Sequence, residues 1–376
     1  MIPFNRPHLF GNELQYITDA VKSGKISGDG IFTQKCHQFF EQQFGFRRVL
    51  LTSSCTDAIE MISLLSNIKE GDEIIAPSFT FVSTVNPFVM RGANIVFCDV
   101  RNDVPCIDES KIESLISLRT RAIVVMHYAG IACNMDEILK IANKHNLLVI
   151  EDAAQAVNAS YNNTPLGSFG SFSAFSFHET KNVMAGEGGM IVLNDDQYIE
   201  RAEIIREKGT DRSKFFRGEV NKYQWVDIGS SFLPSEITAA FLYAQLEHLD
   251  DISKKRHQLW NTYYSELSPL QNEGKLKLPQ IPAYAQHNAH IFYIVAENPE
   301  DRTRLMQHLS DKGIMAIFHY QPLHSSNFWH SKYSGPRLEN TDRFADTLLR
   351  LPLFYSLSQS EVKMIASEVK NFYNGR

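Results

Sequence analysis

Residues 122–127 read A-I-V-V-M-H, residues 135–145 read M-D-E-I-L-K-I-A-N-K-H, and residues 147–152 read L-L-V-I-E-D. The first and third stretches are short unbroken apolar runs, whereas the second repeats its apolar residues at helical spacing. Short apolar runs that alternate with helical stretches are typical of a buried, mostly parallel sheet covered by helices. These three stretches therefore predict a strand, a helix and a second parallel strand.

The same alternation continues toward the N-terminus. Three further apolar runs each precede a helical stretch: V-L-L-T-S (49–53) before C-T-D-A-I-E-M-I-S-L-L (55–65), E-I-I-A-P (73–77) before T-F-V-S-T-V-N-P-F-V-M (80–90), and N-I-V-F-C-D (94–99) before D-E-S-K-I-E-S-L-I (108–116). The chain is therefore predicted to form an α/β fold whose central sheet is mostly parallel and is flanked by helices.

Four segments fall at the carboxyl ends of predicted strands. They are Ser53–Thr56, Pro77–Phe81, His127–Tyr128 and Asp152. Ligands of open parallel sheets bind beyond the carboxyl ends of the strands. We therefore expect these four segments to line one site.

The pattern changes after residue 195. I-E-R-A-E-I-I-R-E-K-G (199–209) predicts a helix that ends at Gly209, and the polar, aromatic segment 210–225 predicts a long loop. From Ser235 to about Leu267 the spacing is helical throughout. We predict a large domain over residues 1–247 and a smaller α+β domain over residues 248–376.

Composition excludes several functional classes. The 376 residues carry a net charge of −6 without a basic block, which argues against nucleic-acid binding. No apolar run approaches the ~18–20 residues that span a bilayer. The first ten residues lack the basic start and apolar core of a signal peptide, and the five cysteines form no close metal-like pair. We expect a cytoplasmic protein with reduced thiols.

Asp152 is the first candidate for a functional residue, within E-D-A-A-Q (151–155). A carboxylate at a strand end can face the ring nitrogen of pyridoxal phosphate and keep that nitrogen protonated, so that the ring accepts electrons. Gln155 lies three residues later and is predicted to donate to the ring oxygen of the cofactor. Glu151 is expected to point to the opposite side of the strand. The alternative for Asp152 alone is a helix N-cap.

Lys181 is the candidate nucleophile. It lies in F-S-F-H-E-T-K-N (175–182), ahead of the glycine-rich G-E-G-G-M (186–190). An amine there can form a Schiff base with the cofactor aldehyde and then shuttle protons at the substrate carbon. A solvated surface lysine is the alternative. The glycine-rich run and Asp152 favour the cofactor, and we predict pyridoxal phosphate.

Donors for the cofactor phosphate are expected in the turn at 53–56. This turn opens a helix after a strand, so the backbone N–H groups near Cys55 and Thr56 can receive a dianion. Ser176 adds a hydroxyl, and Phe81 is predicted to stack on the pyridine ring. A simple N-cap for Thr56 and a core position for Phe81 are the alternatives.

Five further residues are candidates for contacts with substrate. They are His127 and Tyr128 in H-Y-A-G, His178 three residues before Lys181, and His319 and Tyr320 in H-Y-Q-P-L-H. Satisfied structural histidines are the alternative for His127 and His178. No metal is expected, because these histidines have no second ligand pair at metal spacing.

Together, P-S-F-T-F (77–81), E-D-A-A-Q, S-F-H-E-T-K and E-G-G resemble the sugar-nucleotide aminotransferases of the DegT/StrS type, a family of fold-type I pyridoxal phosphate enzymes. The similarity runs from I-P-F-N-R-P (2–7) to L-R-L-P-L-F (349–354). The resemblance implies a large cofactor-binding domain and a smaller C-terminal domain. It also implies glutamate and a dTDP-keto sugar as substrates.

The same resemblance assigns roles to the candidate residues. Lys181 would hold the cofactor covalently and Asp152 would pair with the pyridinium. The remaining cofactor contacts would be Gln155 to the ring oxygen, Cys55, Thr56 and Ser176 to the phosphate, and Phe81 on the ring.

The family is typically dimeric, with each site completed by the partner subunit. The segment 212–225 and the run G-S-S-F-L (229–233) would cross between subunits. Many relatives have Asn where Ser231 stands, reaching the neighbour's phosphate, and Arg where Leu233 stands. H-Y-A-G replaces a common H-L-Y-G, which leaves the roles of His127 and Tyr128 open.

Three alternatives to this reading remain. A related sugar dehydratase carries His in place of the Schiff-base lysine, and Lys181 argues against it. A regulatory protein without enzymatic activity can share the fold. Among aminotransferases, amination at C3 or formation of the gluco epimer remains open.

Overall fold

A central seven-stranded sheet organises the computed structural model, which describes residues 1–375. Its strands, numbered in chain order with β6 and β7 lying outside it, are β1 Arg48–Thr52, β2 Glu73–Pro77, β3 Asn94–Cys98, β4 Thr120–Met126, β5 Leu148–Asp152, β8 Phe172–Ser176 and β9 Gly189–Leu193. They lie in the order β1-β9-β8-β5-β4-β2-β3. The pairs from β3 through β8 are parallel, and only β9 runs antiparallel to its two neighbours. The predicted α/β fold with a mostly parallel sheet is confirmed.

Helices cover both faces of this sheet. They are α1 Glu13–Lys22, α2 Ile31–Phe44, α3 Cys55–Leu65, α4 Asn86–Met90, α5 Glu109–Ile112, α6 Met135–His145, α7 Ile199–Arg206, α8 Arg212–Phe216 and α9 Glu236–Leu246. Successive strand residues pack into opposite cores: Ile123 and Val125 of β4 contact the core that includes α2 and α6, whereas Ala122 and Val124 contact the core that includes α3. The strands are unbroken apolar runs because both of their faces are buried.

A second, antiparallel sheet forms in the C-terminal part of the chain. It contains β10 Leu276–Lys277, β12 Phe292–Ala296, β14 Leu348–Leu351 and β13 Ile317–Phe318 in that order, next to α10 Leu249–Asn272, α11 Pro299–Asp311, α12 Glu339–Thr347 and α13 Gln359–Asn374. A small sheet of β11 Ala285–Gln286, β6 Ser160–Tyr161 and β7 Thr164–Pro165 links the two parts. The boundary between residues 247 and 248 stays a prediction.

Three element boundaries differ from those expected. The helix predicted to end at Gly209 ends at Arg206, because Lys208 and Gly209 both adopt positive φ. The predicted loop 210–225 contains α8. The single helix predicted from Ser235 to Leu267 is two helices, α9 and α10, separated at Glu247 and His248. Leu246 and Leu249 are both buried, so the apolar pattern continues across the break.

Candidate active site

The carboxyl ends of the parallel strands open into a cavity of about 420 Å³. Asp152 ends β5, the turn before α3 follows β1, and Lys181 lies in the connection between β8 and β9. Nine of the predicted residues line this cavity: Cys55, Thr56, Phe81, Asp152, Ser176, His178, Lys181, His319 and Tyr320. The topology thus brings together residues that lie far apart in the chain.

Asp152 is buried, with 5% of its surface exposed. Its carboxylate accepts hydrogen bonds from Thr84 Oγ1 at 2.5 Å and from the Ala154 N–H at 3.1 Å. Burial raises the pKa of Asp152, while the Thr84 hydroxyl, the Ala154 N–H and the Lys181 charge oppose that rise. Two donors therefore support the carboxylate form that a pyridinium requires. Glu151 faces the other side of β5, as expected, and accepts from the N–H groups of Gly167, Phe169 and Gly170.

Lys181 lies in the turn that follows β8, and its backbone N–H donates to the His178 carbonyl at 2.9 Å. Desolvation lowers the pKa of the Lys181 amine, and electrostatic attraction to the acidic side chains of Cys55 and Asp152 partly offsets this lowering. A lowered pKa increases the fraction of neutral, nucleophilic amine at a given pH. The cavity therefore provides the environment that a Schiff-base lysine requires.

The N-terminus of α3 forms one wall of the cavity. The Ser54 side chain caps the helix by accepting from the Asp57 N–H at 3.0 Å, and Thr56 Oγ1 donates to Ser83 Oγ at 2.8 Å. Free N–H groups and hydroxyls at a helix N-terminus suit a phosphate dianion. Gly189 lets β9 approach this turn, since a Cβ there would lie 2.3–2.5 Å from atoms of Ser54 and Cys55.

Phe81 and Tyr320 face each other across the cavity mouth. The Phe81 side chain is 56% exposed, and its ring centroid lies 6.4 Å from that of Tyr320. The Tyr320 ring in turn stacks on His319, with centroids 3.6 Å apart. An exposed phenyl ring beside a polar cavity is available for stacking on a flat ligand.

Gln155 does not line the cavity directly. Its amide oxygen accepts from the Ala129 N–H at 2.6 Å, and its Nε2 donates to the Tyr320 hydroxyl at 3.0 Å. The second hydrogen of Nε2 remains for another acceptor. The predicted contact with the cofactor ring oxygen therefore stays a prediction.

The structure places His127 and Tyr128 behind the cavity wall. His127 is fully buried; its Nε2 lies 3.0 Å from a Glu151 oxygen and its Nδ1 accepts from the Cys133 N–H. The Tyr128 hydroxyl forms a 2.8 Å hydrogen bond with Nδ1 of His319. Both ring nitrogens of His127 are thus occupied, as in a structural histidine, whereas Tyr128 supports a residue of the cavity wall.

The other candidates differ in their position. His178 lines the cavity and its Nδ1 lies 2.9 Å from the Thr180 hydroxyl. Burial lowers the pKa of His319 well below its usual range, so this ring is neutral at physiological pH. Ser231 is exposed and lies outside the cavity, although the carbonyl of the next residue, Phe232, accepts from the Ser53 N–H. The predicted contact of Ser231 with a partner's phosphate stays a prediction.

Sequence reasoning missed one residue of the cavity lining and one residue behind it that supports Asp152. Ser83 lines the cavity beside Thr56, and Thr84 is a donor to Asp152 from a turn 68 residues earlier in the chain. Both lie within three residues of the end of P-S-F-T-F, so the hydroxyl residues after β2 were the available signal. No group of three or more His, Cys, Asp or Glu side chains within residues 1–375 is arranged to hold a metal ion.

The chain is similar to solved aminotransferases over its whole length. TlmJ of Streptoalloteichus hindustanus is 26% identical with a TM-score of 0.91, covering 100% of this chain and 99% of that chain. PseC of Helicobacter pylori, an aminotransferase involved in the biosynthesis of pseudoaminic acid, is 25% identical with a TM-score of 0.91 over 100% of both chains. The PLP form of Spr1654 of Streptococcus pneumoniae shares the fold at 22% identity, with a TM-score of 0.89 over 100% of this chain and 99% of that chain.

Fold and cavity together define a fold-type I aminotransferase that uses pyridoxal phosphate. The sequence model of the DegT/DnrJ/EryC1/StrS aminotransferase family matches residues 8–370. The chain belongs to this family and is a pyridoxal phosphate-dependent sugar aminotransferase. Within residues 1–375, no helix is both long enough and apolar enough to cross a bilayer.

Proposed function

We propose that the protein transfers the amino group of glutamate to C4 of a dTDP-4-keto-6-deoxyhexose, giving dTDP-4-amino-4,6-dideoxygalactose. Three stretches support this substrate, because they resemble the transaminase that makes this amino sugar: S-G-K-I-S-G-D-G-I-F-T (23–33), F-S-F-H-E-T-K-N and R-A-E-I-I-R-E-K-G-T-D-R-S-K-F-F-R-G (201–218). The product would serve polysaccharide assembly in the cytoplasm, as in O-antigen or enterobacterial common antigen synthesis.

The observation that carries the proposal is that Lys181 and Asp152 line the same cavity. Bound pyridoxal phosphate supplies an electron sink for the electron pair left when a carbon loses its proton. In the first half-reaction Lys181 Nζ would remove the proton from the α-carbon of glutamate; the amino group would stay with the cofactor, and water would release the carbon skeleton as 2-oxoglutarate. In the second half-reaction the amino group would replace the C4 carbonyl oxygen of the sugar, which leaves as water, and Lys181 Nζ would deliver a proton to C4. The Asp152 carboxylate, which accepts from Thr84 Oγ1, would pair with the ring nitrogen and keep it protonated.

The residues around the cavity fit the cofactor in three further respects. The α3 N-terminus with Thr56 and Ser176 offers donors to the phosphate, and Gly189 leaves room at that turn. Phe81 presents an open ring face. A sugar dehydratase with His in place of the lysine does not fit, because the chain has Lys181.

We further propose a homodimer in which segments 212–225 and 229–233 complete the partner's site. The support is the exposure of apolar side chains in and next to these segments: Phe216 is 69% and Trp225 is 81% exposed in the single chain. Such a cluster is typical of a protein–protein interface.

The test is the absorption spectrum of the cofactor-loaded protein during each half-reaction. We expect glutamate to bleach the visible band of the bound cofactor and dTDP-4-keto-6-deoxyglucose to restore it. NMR of the sugar product then distinguishes C4 from C3 amination and the galacto from the gluco epimer. If glutamate leaves the spectrum of the cofactor-loaded protein unchanged, glutamate is not the amino donor. A product aminated at C3, or one with the gluco configuration, would refute the proposed product.

A further inference from the structure

A second, apolar groove adjoins the cofactor cavity. It has a volume of about 800 Å³ and shares Phe81, His319 and Tyr320 with the cavity as common walls. Four further aromatic side chains line it, Phe97, Phe318, Phe328 and Trp329, together with aliphatic residues such as Val85, Val89 and Leu323. A ligand held at Lys181 can therefore extend past His319 and Tyr320 into this groove.

Arg350 is the only charged residue among the lining residues that the structure describes. It lies in β14, where its Nη2 donates to the Phe318 carbonyl at 3.0 Å and its guanidinium lies 4.6 Å from the centroid of the Phe4 ring. Its Nε is buried without a hydrogen-bond partner, and no carboxylate within residues 1–375 pairs with it.

This lack of a counter-charge points to a ligand. A partly buried cation is costly unless an anion compensates for its lost hydration. The other arginines that line large cavities in the structure do have such partners: Arg206 pairs with Asp29, and Arg217 pairs with Glu203. Arg350 therefore has unused capacity for an anionic group that enters the groove.

The size and chemistry of the groove indicate which anion. A guanidinium binds phosphate oxygens in a bidentate manner, and aromatic walls suit the flat face of a nucleobase. An amino-acid donor is too small to use a groove of about 800 Å³ in addition to the cavity. A nucleoside diphosphate places its anionic group between the sugar and the base, next to the walls that cavity and groove share.

We propose that Arg350 binds the diphosphate of the sugar nucleotide, with the nucleobase lying in the aromatic groove and the sugar extending to Lys181. This inference rests on the proposed function, because it requires a nucleotide-linked substrate. Arg350 would then distinguish nucleotide-linked sugars, which carry a diphosphate, from free sugars, which do not.

The test measures the affinity of dTDP, UDP and thymidine for the cofactor-loaded protein by calorimetry. In Arg350→Gln we expect the Kd of dTDP or UDP to rise about tenfold or more, because a hydrogen bond to a charged group is lost. The Kd of thymidine and the rate of the glutamate half-reaction should stay unchanged. The matched control is Arg302→Gln in α11: the Arg302 guanidinium also donates to a backbone carbonyl, from Nε to that of Asp346, but it lies outside the groove.

An unchanged Kd for both diphosphates in Arg350→Gln would overturn the inference, as would a wild-type protein that binds neither. An equal loss in the glutamate half-reaction would also overturn it, because Arg350 would then serve the amino donor. If Arg350→Gln does not fold, Arg350→Lys replaces it, with a smaller rise in Kd for the diphosphates alone. The wild-type glutamate half-reaction judges the proposed function separately.

Discussion

The charge state of Asp152 depends on its burial, which has the largest effect on its pKa, and on the neighbours that oppose that effect. Burial raises its pKa, and the hydroxyl of Thr84 opposes that rise. Thr84 itself is oriented by Thr80, whose Oγ1 lies 2.6 Å from Thr84 Oγ1. Two threonines from the connection after β2 thus tune a carboxylate at the end of β5.

Replacing Thr84 by Val removes one donor from the Asp152 carboxylate. The hydrogen bond lowers the pKa of Asp152, so its loss raises that pKa further. Activity that needs the carboxylate is then lost at a higher pH than in the wild type, by about one pH unit. The pH profile of kcat/KM measures this shift of the acid limb.

The control for this substitution is Thr303→Val, which removes a hydroxyl that bonds the Pro299 carbonyl in α11. Its profile should match that of the wild type. If the acid limb of the kcat/KM profile lies at the same pH in Thr84→Val as in the wild type, Thr84 does not support the Asp152 carboxylate.

Replacing Lys181 by Ala removes the proposed proton carrier. We expect transamination to fall by at least about 10³-fold, because both half-reactions use the same amine. The matched control is Lys140→Ala, since the Lys140 side chain is 74% exposed and pairs only with Glu137 one turn away on α6. Turnover of Lys181→Ala at the parent rate, measured as 2-oxoglutarate release, would refute the mechanism.

At the scale of elements, the strand β9 and the helix α3 meet at a glycine. Gly189 starts β9 against the phosphate turn, and an added Cβ would contact backbone atoms of Ser54 and Cys55 at 2.3–2.5 Å. Backbone atoms cannot rotate away as a side chain does. The position of the proposed phosphate site therefore depends on the absence of one methyl group.

Gly189→Ala should push α3 away from β9. We expect a loss of about 1–3 kcal/mol in the free energy of unfolding and weaker binding of pyridoxal phosphate. The chain offers a matched control in Gly188→Ala, whose added Cβ would find its nearest atoms at an ordinary 3.4 Å. Thermal melting and cofactor titration compare the two, and equal behaviour would contradict the steric explanation.

The elements that carry the sheet could be predicted because their apolar runs are local signals. The strand ends at Thr52, Pro77, Met126 and Asp152 lie next to the polar residues that the sequence placed there. Thr84 could not be predicted as a partner of Asp152, because the two residues meet only once β2 and β5 take their places in the sheet. The break between α9 and α10 was missed because burial continues through it.

For the whole molecule, the aromatic segment around Trp225 is an exposed apolar surface: Phe216 is 69%, Tyr223 is 52% and Trp225 is 81% exposed. If it forms the proposed dimer contact, Trp225→Asp should raise the dimer dissociation constant by tenfold or more, since central aromatic residues dominate many interfaces. Sedimentation velocity measures this change. Leu118→Asp is the control, because Leu118 is 98% exposed and lies outside the proposed contact segments, in the turn before β4. A monomeric wild type, or equal effects of both changes, would refute the dimer contact.

The reversed strand β9 also has a consequence for the synthesis of the protein. Strand β1 lies at the edge of the sheet, and β9 is its only neighbour there. The ribosome completes β9 about 140 residues after β1, which at roughly 5–20 residues per second is a delay on the order of ten seconds. During this time the apolar segment Arg48–Thr52 has no sheet partner and can pair with other nascent chains. We therefore expect chaperones that protect unfinished chains to bind the β1 segment until β9 is made.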